Sequence, residues 1–482
     1  MNFIFFYPDE MRAESVSCYG HPLVKMPNYD RVAKEGVMFE QCHIQHPVCT
    51  PSRCSLMTGW YPHVGGHRTL WHLLRNHEPS LFRYLKEAGY HIEWYGKNDL
   101  YAQDYFEGVV DVAKSEKAIG QAGACPYEEG TPGHYSFLRE AFSGSCYETG
   151  DMQNVQTSID FLHNRKKGDK PFFMYLPLTM PHPSYSAPEP FHSMYNPKDL
   201  SPLRPAGIDG KPDYHSLIRK YRGLDQLPEG AMEKIQAVYL GMNSYVDWML
   251  GRLLEALDET GLDEDTVLII SSDHGDWAGD YGLVEKWPSA LDDTITHVPL
   301  LIRMPENKSG HIVKEQVELF DIMATVLDIA KIEPSHVHFA KSLVPQLMGA
   351  PGDKNRAVFA EGGYDTHELH CFEGSILNNI NLMNPKHVYY PKALQQQECP
   401  KSVCRSTMIR TLEYKLIKRP QGVSELYDLR TDSQELCNLY ENPKYTDIKR
   451  ELEERLLNWY IHTSDVVPLD IDKRGLPPQV ND

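Results

Sequence analysis

The sequence lacks any apolar run of the roughly 20 residues that a transmembrane helix needs. It has no internal repeat and no low-complexity tract, which argues against solenoid and fibrous proteins. Its ten cysteines include no Cys-x-x-Cys pair, so they do not form the dense framework of a small disulfide-rich domain. We therefore expect a globular protein with mostly free thiols, and Cys399 and Cys404 are a pair near enough in sequence to bridge.

Positive charge is also scarce, since 48 Lys and Arg residues face 67 Asp and Glu residues and give a formal net charge of -19. Such a surface argues against nucleic acid as a partner. Residues 1–8 lack the charged start and the length of a secretory signal, so we expect a cytoplasmic protein that does not bind membranes. A chain from which a leader had been removed would look the same.

The length and composition are those of a globular enzyme, with 482 residues, 41% hydrophobic and 24% charged. Apolar strand patterns alternate with helical patterns up to about residue 360, which predicts an α/β fold with a mostly parallel central sheet flanked by helices. Short strands and a closing helix then predict a small C-terminal α/β subdomain with an antiparallel sheet. We place the boundary between 1–365 and 366–482.

The most informative motif is Cys-x-Pro-Ser-Arg, from Cys49 to Arg53, followed by Leu56 to Gly59. Such a combination seldom arises by chance. Thr50-Pro51-Ser52 is also typical of a helix start with proline in its first turn, so a structural cysteine is the alternative. The two interpretations are compatible, because N–H groups at a helix N-terminus favour an anionic oxygen.

This motif resembles the signature of the formylglycine-dependent type I sulfatases, which have an alkaline-phosphatase-like fold and include bacterial enzymes of glycan and glycosaminoglycan degradation. The resemblance implies that Cys49 is oxidised to an aldehyde whose hydrate is the nucleophile. One hydroxyl attacks sulfur and expels the alcohol, and the second then loses its proton so that the aldehyde returns. The resemblance implies a formylglycine-generating or anaerobic sulfatase-maturing enzyme as partner. It also implies that Arg53 contacts the aldehyde and binds sulfate oxygens.

Two acids, Asp9 and Glu10, directly follow the buried apolar run 2–7. Ligands of open α/β sheets gather at that edge, and adjacent carboxylates repel one another unless a cation or a proton holds them. A solvated strand end is the alternative interpretation. A second pair, Asp273 and His274, follows the apolar strand pattern at 266–272 and begins the block Asp-His-Gly.

In the sulfatase family, paired acids and a Ser-Asp-x-Gly block supply the metal ligands. The resemblance therefore implies one divalent cation, calcium in the first place and manganese or magnesium otherwise. The imidazole of His274 is acceptable as a calcium ligand, although a nitrogen ligand suits manganese or zinc better. Alternatively, His274 forms a hydrogen bond to the sulfate ester. The implied ligands are Asp9, Glu10, Cys49, Asp273 and His274.

Three further side chains resemble family residues that contact the sulfate or the leaving group. Lys97 follows a predicted strand, and Lys286 ends a Gly-x-x-x-Lys block, so both are implied to bind sulfate oxygens. His182 stands between two prolines after the strand 171–178 and is implied to protonate the departing oxygen, although a ring that only fills space is the alternative.

One departure from the family pattern concerns proton transfer at the nucleophile. The histidine that usually stands two residues after the first lysine is absent here, where Asp99 follows Asn98. Asp99 or His67 is expected to take part of its role. His67 lies in a Gly-rich loop after the Cys49 helix, and a surface histidine without function is the alternative.

We expect a sulfatase that hydrolyses a sulfate monoester of a sugar or glycosaminoglycan fragment, with the loop of His67, Arg68 and Trp71 suited to a sugar carboxylate. Segments 104–150 and 184–230 are expected to shape the substrate pocket. A phosphate or phosphonate ester hydrolase is one alternative, although Pro-Ser-Arg fits sulfatases better than the Pro-Ala-Arg of the phosphonate relatives. A catalytically silent binding protein of the same fold is another.

Overall fold

A computed structural model describes residues 1–166, 168–305, 310–365 and 383–469. Its strands in chain order are β1 (Asn2–Asp9), β2 (Val37–His43), β3 (His91–Tyr95), β4 (Val112–Lys114), β5 (Phe172–Pro181), β6 (Thr266–Ser271), β7 (His297–Val298), β8 (Leu300–Arg303), β9 (His311–Glu318), β10 (Val358–Gly362), β11 (Ser406–Arg410), β12 (Tyr414–Lys418) and β13 (Glu425–Asp428).

The α-helices of these described ranges connect and cover the strands. They are α1 (Pro27–Glu35), α2 (Cys49–Thr58), α3 (Pro62–Gly65), α4 (Leu81–Glu87), α5 (Gln103–Val109), α6 (Pro132–Tyr135), α7 (Gly150–His163), α8 (Tyr214–Arg222), α9 (Ala231–Thr260), α10 (Asp293–Thr296), α11 (Asp321–Ala330), α12 (Val344–Leu347), α13 (Tyr390–Glu398) and α14 (Thr446–Thr463). None of them combines enough length with enough apolar character to cross a bilayer.

The large sheet of the described residues has nine strands in the order β4-β3-β5-β1-β6-β8-β2-β7, with β9 paired to β2. The central strand β1 is parallel to both neighbours, so that Phe5 lies opposite Tyr175 on one side and Ile269 on the other. Antiparallel pairing enters where β8 joins β6 and where β2 joins β7 and β8. The prediction of a mostly parallel sheet between helices is confirmed.

The apolar run of β1 faces two cores at once. Ile4 and Phe6 pack in the cluster that includes α7 and α9, and Phe3 and Phe5 pack in the cluster that includes α2, α4 and α11. All four side chains are fully buried, and each contributes about 1.5–3 kcal/mol by leaving water. Burial on both faces explains why this strand reads as continuous hydrophobic sequence rather than as an alternating pattern.

The predicted antiparallel sheet of the C-terminal region is also present, in the order β10-β11-β12-β13. Its Ile409 and Leu416 pack in the same apolar cluster as Leu456 and Trp459 of α14 and the second face of the large sheet. The domain boundary at 365/366 stays a prediction, although β10, which lies before it, pairs in the small sheet. Cys399 and Cys404 carry free thiols and form no disulfide.

The carboxylate of Glu361 in β10 joins the small sheet to the loop after α2. It accepts hydrogen bonds from the His63 N–H at 3.0 Å, from Arg68 at 2.8 Å and from the Tyr460 hydroxyl at 3.0 Å. Burial alone would raise the pKa of Glu361, but Arg68 and His63 hold it at about 2. The prediction that Arg68 faces a sugar carboxylate is therefore wrong, since its guanidinium is buried against a carboxylate of the chain itself.

We expect Glu361→Gln to lower the free energy of unfolding by about 3–5 kcal/mol, because it removes the buried carboxylate charge that pairs with the Arg68 guanidinium. Urea unfolding at neutral pH measures the change. Since the pKa of Glu361 is lowered by folding, its contribution is present above about pH 4.5 and is lost as the pH falls toward 2. Glu413→Gln is the matched control, because that carboxylate is 59% exposed and its removal should change stability by less than about 0.5 kcal/mol. Equal effects of the two variants would contradict the assignment.

Candidate active site

The carboxyl edge of the large sheet gathers the residues that the motifs single out. Parallel strands end at one edge, so residues that follow different strands meet there although they are far apart in sequence. Helix α2 begins at this edge, and all ten of its residues are buried. The side chains brought together are Asp9 at the end of β1 and Glu10 after it, Cys49 at the start of α2, Lys97 after β3, His182 after β5, and Asp273, His274 and Lys286 after β6.

Four buried side chains form a compact group of metal-type donor atoms. Single ligand atoms of Asp9, Cys49, Asp273 and His274 lie within 4.8 Å of one another, and a second such group joins Asp9 to Glu10 and His182. The sulfur of Cys49 is 3.2 Å from Nε2 of His274 and 3.9 Å from Oδ1 of Asp9. The sequence-predicted ligands are therefore neighbours around one small volume.

Fixed cations compensate the buried carboxylates of this group. Nη2 of Arg53 lies 2.9 Å from Asp9 and 2.8 Å from Asp273, and Arg53 is fully buried. Lys97 contacts the same Oδ2 of Asp9 that Arg53 approaches, and it pairs with Asp99 at 2.7 Å. Burial alone would raise the pKa of Asp9, but Lys97 and Arg53 hold it well below its usual range. The carboxylate of Asp9 is therefore ionised and available as a hard oxygen ligand.

Glu10 supplies the strongest sign that a cation fits here. Its φ of +69° lies in the left-handed region, and the Tyr239 hydroxyl donates to its carbonyl oxygen at 2.7 Å. Lys286 donates to its Oε2 at 2.9 Å, whereas its buried Oε1 has no hydrogen-bond partner among the described residues. Burial raises the pKa of Glu10. An unsatisfied buried carboxylate oxygen is costly, so a cation at this position would satisfy it.

The ring of His274 is held in the orientation of a metal ligand. Its Nδ1 donates to the Gly275 carbonyl oxygen at 3.0 Å, which leaves the lone pair of Nε2 directed toward Cys49 and Asp9. Burial lowers the pKa of His274, so the ring is neutral at pH 7. Carboxylate oxygens with one neutral imidazole suit a divalent cation such as calcium, manganese or magnesium, and the residues present therefore fit the implied metal.

His182 and Lys286 form a proton-holding pair beside Glu10. Nδ1 of His182 donates to the Pro183 carbonyl at 2.6 Å, and its Nε2 accepts from Nζ of Lys286 at 2.7 Å. Burial and the ammonium of Lys286 lower the pKa of His182 to about 3. The ring that the sequence assigns as proton donor is therefore neutral here, and the proton between the two groups is carried by the lysine.

The close approach of two strands explains the glycine that precedes Lys97. Gly96 has a φ of +141°, and a Cβ on it would lie 2.2 Å from the Pro177 carbonyl oxygen. That oxygen accepts a hydrogen bond from the Lys97 N–H at 3.1 Å. Only glycine allows β3 to end against β5 in this way, and the arrangement aims the following lysine at Asp9.

The structure does not bring His67 to the site. Its Nδ1 is 2.7 Å from the His72 carbonyl oxygen and its Nε2 is 3.1 Å from the buried carboxylate of Glu78. Both ring nitrogens are thus engaged in holding the loop, which corrects the assignment of His67 as a catalytic residue. Of the two candidates for the missing histidine's role, Asp99 is the one that contacts the site, through Lys97.

The sequence did not predict the residues that hold the candidate site residues in position. Asp151 in the first turn of α7 accepts the amide hydrogens of Thr179 at 2.9 Å and Met180 at 2.7 Å, and so fixes the chain before His182. The Ser52 hydroxyl donates to the Asp273 carbonyl at 2.7 Å. An acid in a first helical turn was the only available signal for Asp151, and nothing local indicates its partners.

Comparisons with known proteins agree with this geometry. The sequence profile of the family described as Sulfatase matches residues 1–332, and the profile described as N-sulphoglucosamine sulphohydrolase, C-terminal, matches residues 375–461. The chain is 26% identical to the uncharacterized sulfatase YidJ of Escherichia coli (strain K12), over 95% of this chain and 86% of that protein. It is 24% identical to an N-acetylglucosamine-6-O-sulfatase of Bacteroides thetaiotaomicron, over 94% and 85% of the two chains.

A solved structure extends the likeness to the whole fold. The phosphonate monoester hydrolase of Agrobacterium radiobacter superposes with a TM-score of 0.77 at 23% identity, over 97% of each chain. At that identity the likeness shows a shared architecture. Because the family profile covers more than half of the chain, including every residue of the donor group, this protein belongs to the sulfatase family, the sulfuric ester hydrolases of the alkaline-phosphatase-like superfamily.

Proposed function

We propose that the protein hydrolyses a sulfate monoester of a sugar or glycosaminoglycan fragment through a formylglycine hydrate derived from Cys49. The observation that carries the proposal is the buried group of Asp9, Cys49, Asp273 and His274, framed by Arg53, Lys97 and Lys286. A tetrahedral dianion such as sulfate requires concentrated positive charge beside the nucleophile, and this site supplies it.

The unmodified thiol of Cys49 is poorly suited to nucleophilic attack. It is 4% exposed, and burial together with the carboxylate of Asp9 raises its pKa, so it is protonated at neutral pH. Oxidation removes this difficulty. The Cβ loses two electrons and its sulfur, and a maturation enzyme supplies the oxidant. Hydration of the resulting aldehyde places two hydroxyl groups on the same carbon.

The proposed reaction then has two steps. One hydroxyl of the hydrate, ionised by release of its proton to water, attacks sulfur, the bond from sulfur to the alcohol oxygen breaks, and that oxygen takes the proton that Lys286 holds against His182. The second hydroxyl then gives its proton back to the Lys286–His182 pair, the bond from carbon to the sulfate oxygen breaks, and sulfate leaves as the aldehyde returns. Water adds to the aldehyde and restores the hydrate. A bound divalent cation would supply a positive charge that favours ionisation of the hydrate and neutralises a sulfate oxygen.

The cationic side chains have separate tasks in this scheme. Arg53 bridges Asp9 and Asp273 and compensates their charge beside the nucleophile. Lys97 and Lys286 reach the cluster from two different strand ends and bind the sulfate oxygens as charge grows there. Asp99 orients Lys97. The sugar preference is supported by the N-acetylglucosamine-6-O-sulfatase relative.

The test is sulfate release by protein co-expressed with a maturation enzyme, measured on a panel of sulfated mono- and disaccharides and on an aryl sulfate. We expect turnover of at least one sulfated sugar, together with a mass at position 49 that corresponds to the aldehyde. A plain thiol at position 49 in fully active protein would overturn the mechanism.

A second candidate is a phosphate or phosphonate ester hydrolase, which the structural likeness to a phosphonate monoester hydrolase favours. The same hydrate can attack phosphorus. Parallel kinetics on aryl sulfate and aryl phosphonate esters separate the two, and a higher kcat/KM on the phosphonate would favour the second. A catalytically silent protein predicts an unmodified Cys49 even after co-expression, with no turnover of either ester.

A further inference from the structure

A cavity of about 340 Å³ adjoins the active site and shares His182 with it. His182 contacts Glu10 and Lys286 of the active site and also lines the cavity. The volume lies in the range of small-ligand pockets. A group held in this cavity would therefore lie next to the oxygen that leaves from sulfate.

The rim of the cavity is a hydrogen-bonded layer of three segments rather than loose loops. The Arg139 N–H donates to the Tyr185 carbonyl at 3.1 Å and the Phe142 N–H to the Ala187 carbonyl at 2.9 Å. On the other side, the Glu140 N–H donates to the Ala124 carbonyl at 2.9 Å. These bonds fix the backbone from which Arg139 extends, so its position relative to His182 is set by the fold.

Arg139 is the one arginine or lysine among the described residues that line this cavity. Its Nη1 donates to the Leu138 carbonyl at 3.0 Å and to the sulfur of Cys125 at 3.2 Å, and its Nε and Nη2 have no hydrogen-bond partner among the described residues. Arg53 and Arg68, by contrast, each have a buried carboxylate as partner. A half-buried guanidinium with open donors is suited to bind a planar oxyanion.

The remaining lining neither neutralises this charge nor excludes a sugar ring. Asp151 is the one acid in the described lining, and both of its oxygens are already occupied by the amide hydrogens of Thr179 and Met180. Phe142 and Met242 add apolar surface, which suits the C–H face of a pyranose.

We propose that this cavity holds the sugar of the substrate, and that Arg139 binds a second oxyanion of that sugar, a carboxylate or a second sulfate. The proposal rests on the proposed sulfatase function and adds the substrate class: sulfated sugars with a further negative charge. It also replaces Arg68, which is occupied by Glu361, as the residue that recognises the extra charge.

The test compares Arg139→Gln with wild type on three substrates: a monosulfated N-acetylhexosamine, whose sulfate ester is its one charged group, the same N-acetylhexosamine with a second sulfate, and a monosulfated disaccharide with a uronate. We expect wild type to prefer a substrate with a second negative charge and the variant to lose about 10- to 100-fold of kcat/KM on it, mainly through a higher KM. The ratio of this kcat/KM to that on the singly charged substrate should fall by the same factor, and Arg139→Lys should restore part of the loss. Whichever doubly charged substrate shows the loss identifies the oxyanion.

Arg450→Gln removes the same charge from the 74% exposed surface of α14 and should leave the ratio unchanged. Thermal melts check that Arg139→Gln is folded. Direct calorimetric binding of the sulfate-free uronate disaccharide and of the hexosamine that keeps only its second sulfate, to wild type and variant, reports on Arg139 without turnover. Equal losses on all three substrates, with unchanged binding of the uronate disaccharide and of the hexosamine that keeps only its second sulfate, would overturn the role of Arg139. Wild type that releases sulfate from none of the substrates would instead contradict the proposed function.

Discussion

Cys49→Ala is expected to lower sulfate release by about 10⁴-fold or more, the largest effect of any single substitution in this protein, because it removes the atom on which the nucleophile is built. The loss should fall on kcat. Since the alanine methyl fits within the space of the cysteine, and the sulfur only approaches Asp9 and His274, folding should be preserved and the melting temperature nearly unchanged.

Cys49→Ser separates the two steps of the mechanism. A serine hydroxyl at this position can accept the sulfuryl group but has no second hydroxyl to expel it. We expect at most one turnover per protein molecule and an intact mass that increases by one SO₃ group after incubation with substrate. Mass spectrometry and rapid-quench sulfate assays measure both quantities.

The matched control is Cys54→Ala, one turn later on α2. This thiol is also fully buried, but it faces the His72 carbonyl at 3.9 Å and lies outside the donor group. Cys54→Ala should keep its turnover number and only lower the free energy of unfolding. Multiple turnovers by Cys49→Ala or Cys49→Ser would contradict the covalent mechanism.

The elements that carry the site were predictable because their signals are local. The run Phe3 to Phe6 is apolar at every position, which marks a strand buried on both faces, and its end is marked by two acids and a proline. The helix from Cys49 is marked by Pro51 and ends at Gly59, which has a φ of +68°. Apolar runs, Pro and Gly fix such elements over a few residues, whatever the rest of the chain does.

The partners of charged residues could not be predicted in the same way. Arg68 pairs with Glu361, which lies 293 residues away, and no local pattern distinguishes a buried ion pair from a substrate-binding arginine. His67 likewise contacts Glu78, and no local pattern indicates that partner. Arg139 belongs to an irregular segment whose position depends on pairing with Tyr185, so its place beside His182 follows only from the tertiary structure. The polar sequence 361–370 also predicts a segment that faces the pocket, and its residues after 365 lie outside the described ranges.

The second large effect is expected for Asp273→Asn, which should weaken binding of the divalent cation more than about 100-fold and lower kcat by about 10³-fold. One oxygen of Asp273 accepts the N–H groups of Glu10 at 3.1 Å and His274 at 3.0 Å, and the other accepts from Arg53. Asparagine keeps the shape but removes one of the charges that the cation requires. Mass-spectrometric metal analysis and titration calorimetry with calcium, manganese and magnesium measure the affinity.

Asp99→Asn is the control for this variant, because Asp99 is paired with Lys97 but does not belong to the donor group. It should retain the metal content of wild type. If Asp273→Asn also retained full metal content, the cation would have to bind elsewhere, and the donor group would lose its proposed role.

Removal of the divalent cation from wild type by a chelator should abolish activity without unfolding the protein, because fixed cationic side chains compensate the carboxylates of the site. Arg53 and Lys97 already compensate Asp9 and Asp273, and Lys286 compensates Glu10, so removal of the divalent ion leaves no group of uncompensated carboxylates. The melting temperature should fall only by the amount that ligand linkage predicts, and activity should return when the ion is restored. Asp273→Asn should not recover in the same titration. Unfolding of the metal-free wild type at room temperature would show that Arg53, Lys97 and Lys286 do not compensate the carboxylates of the site.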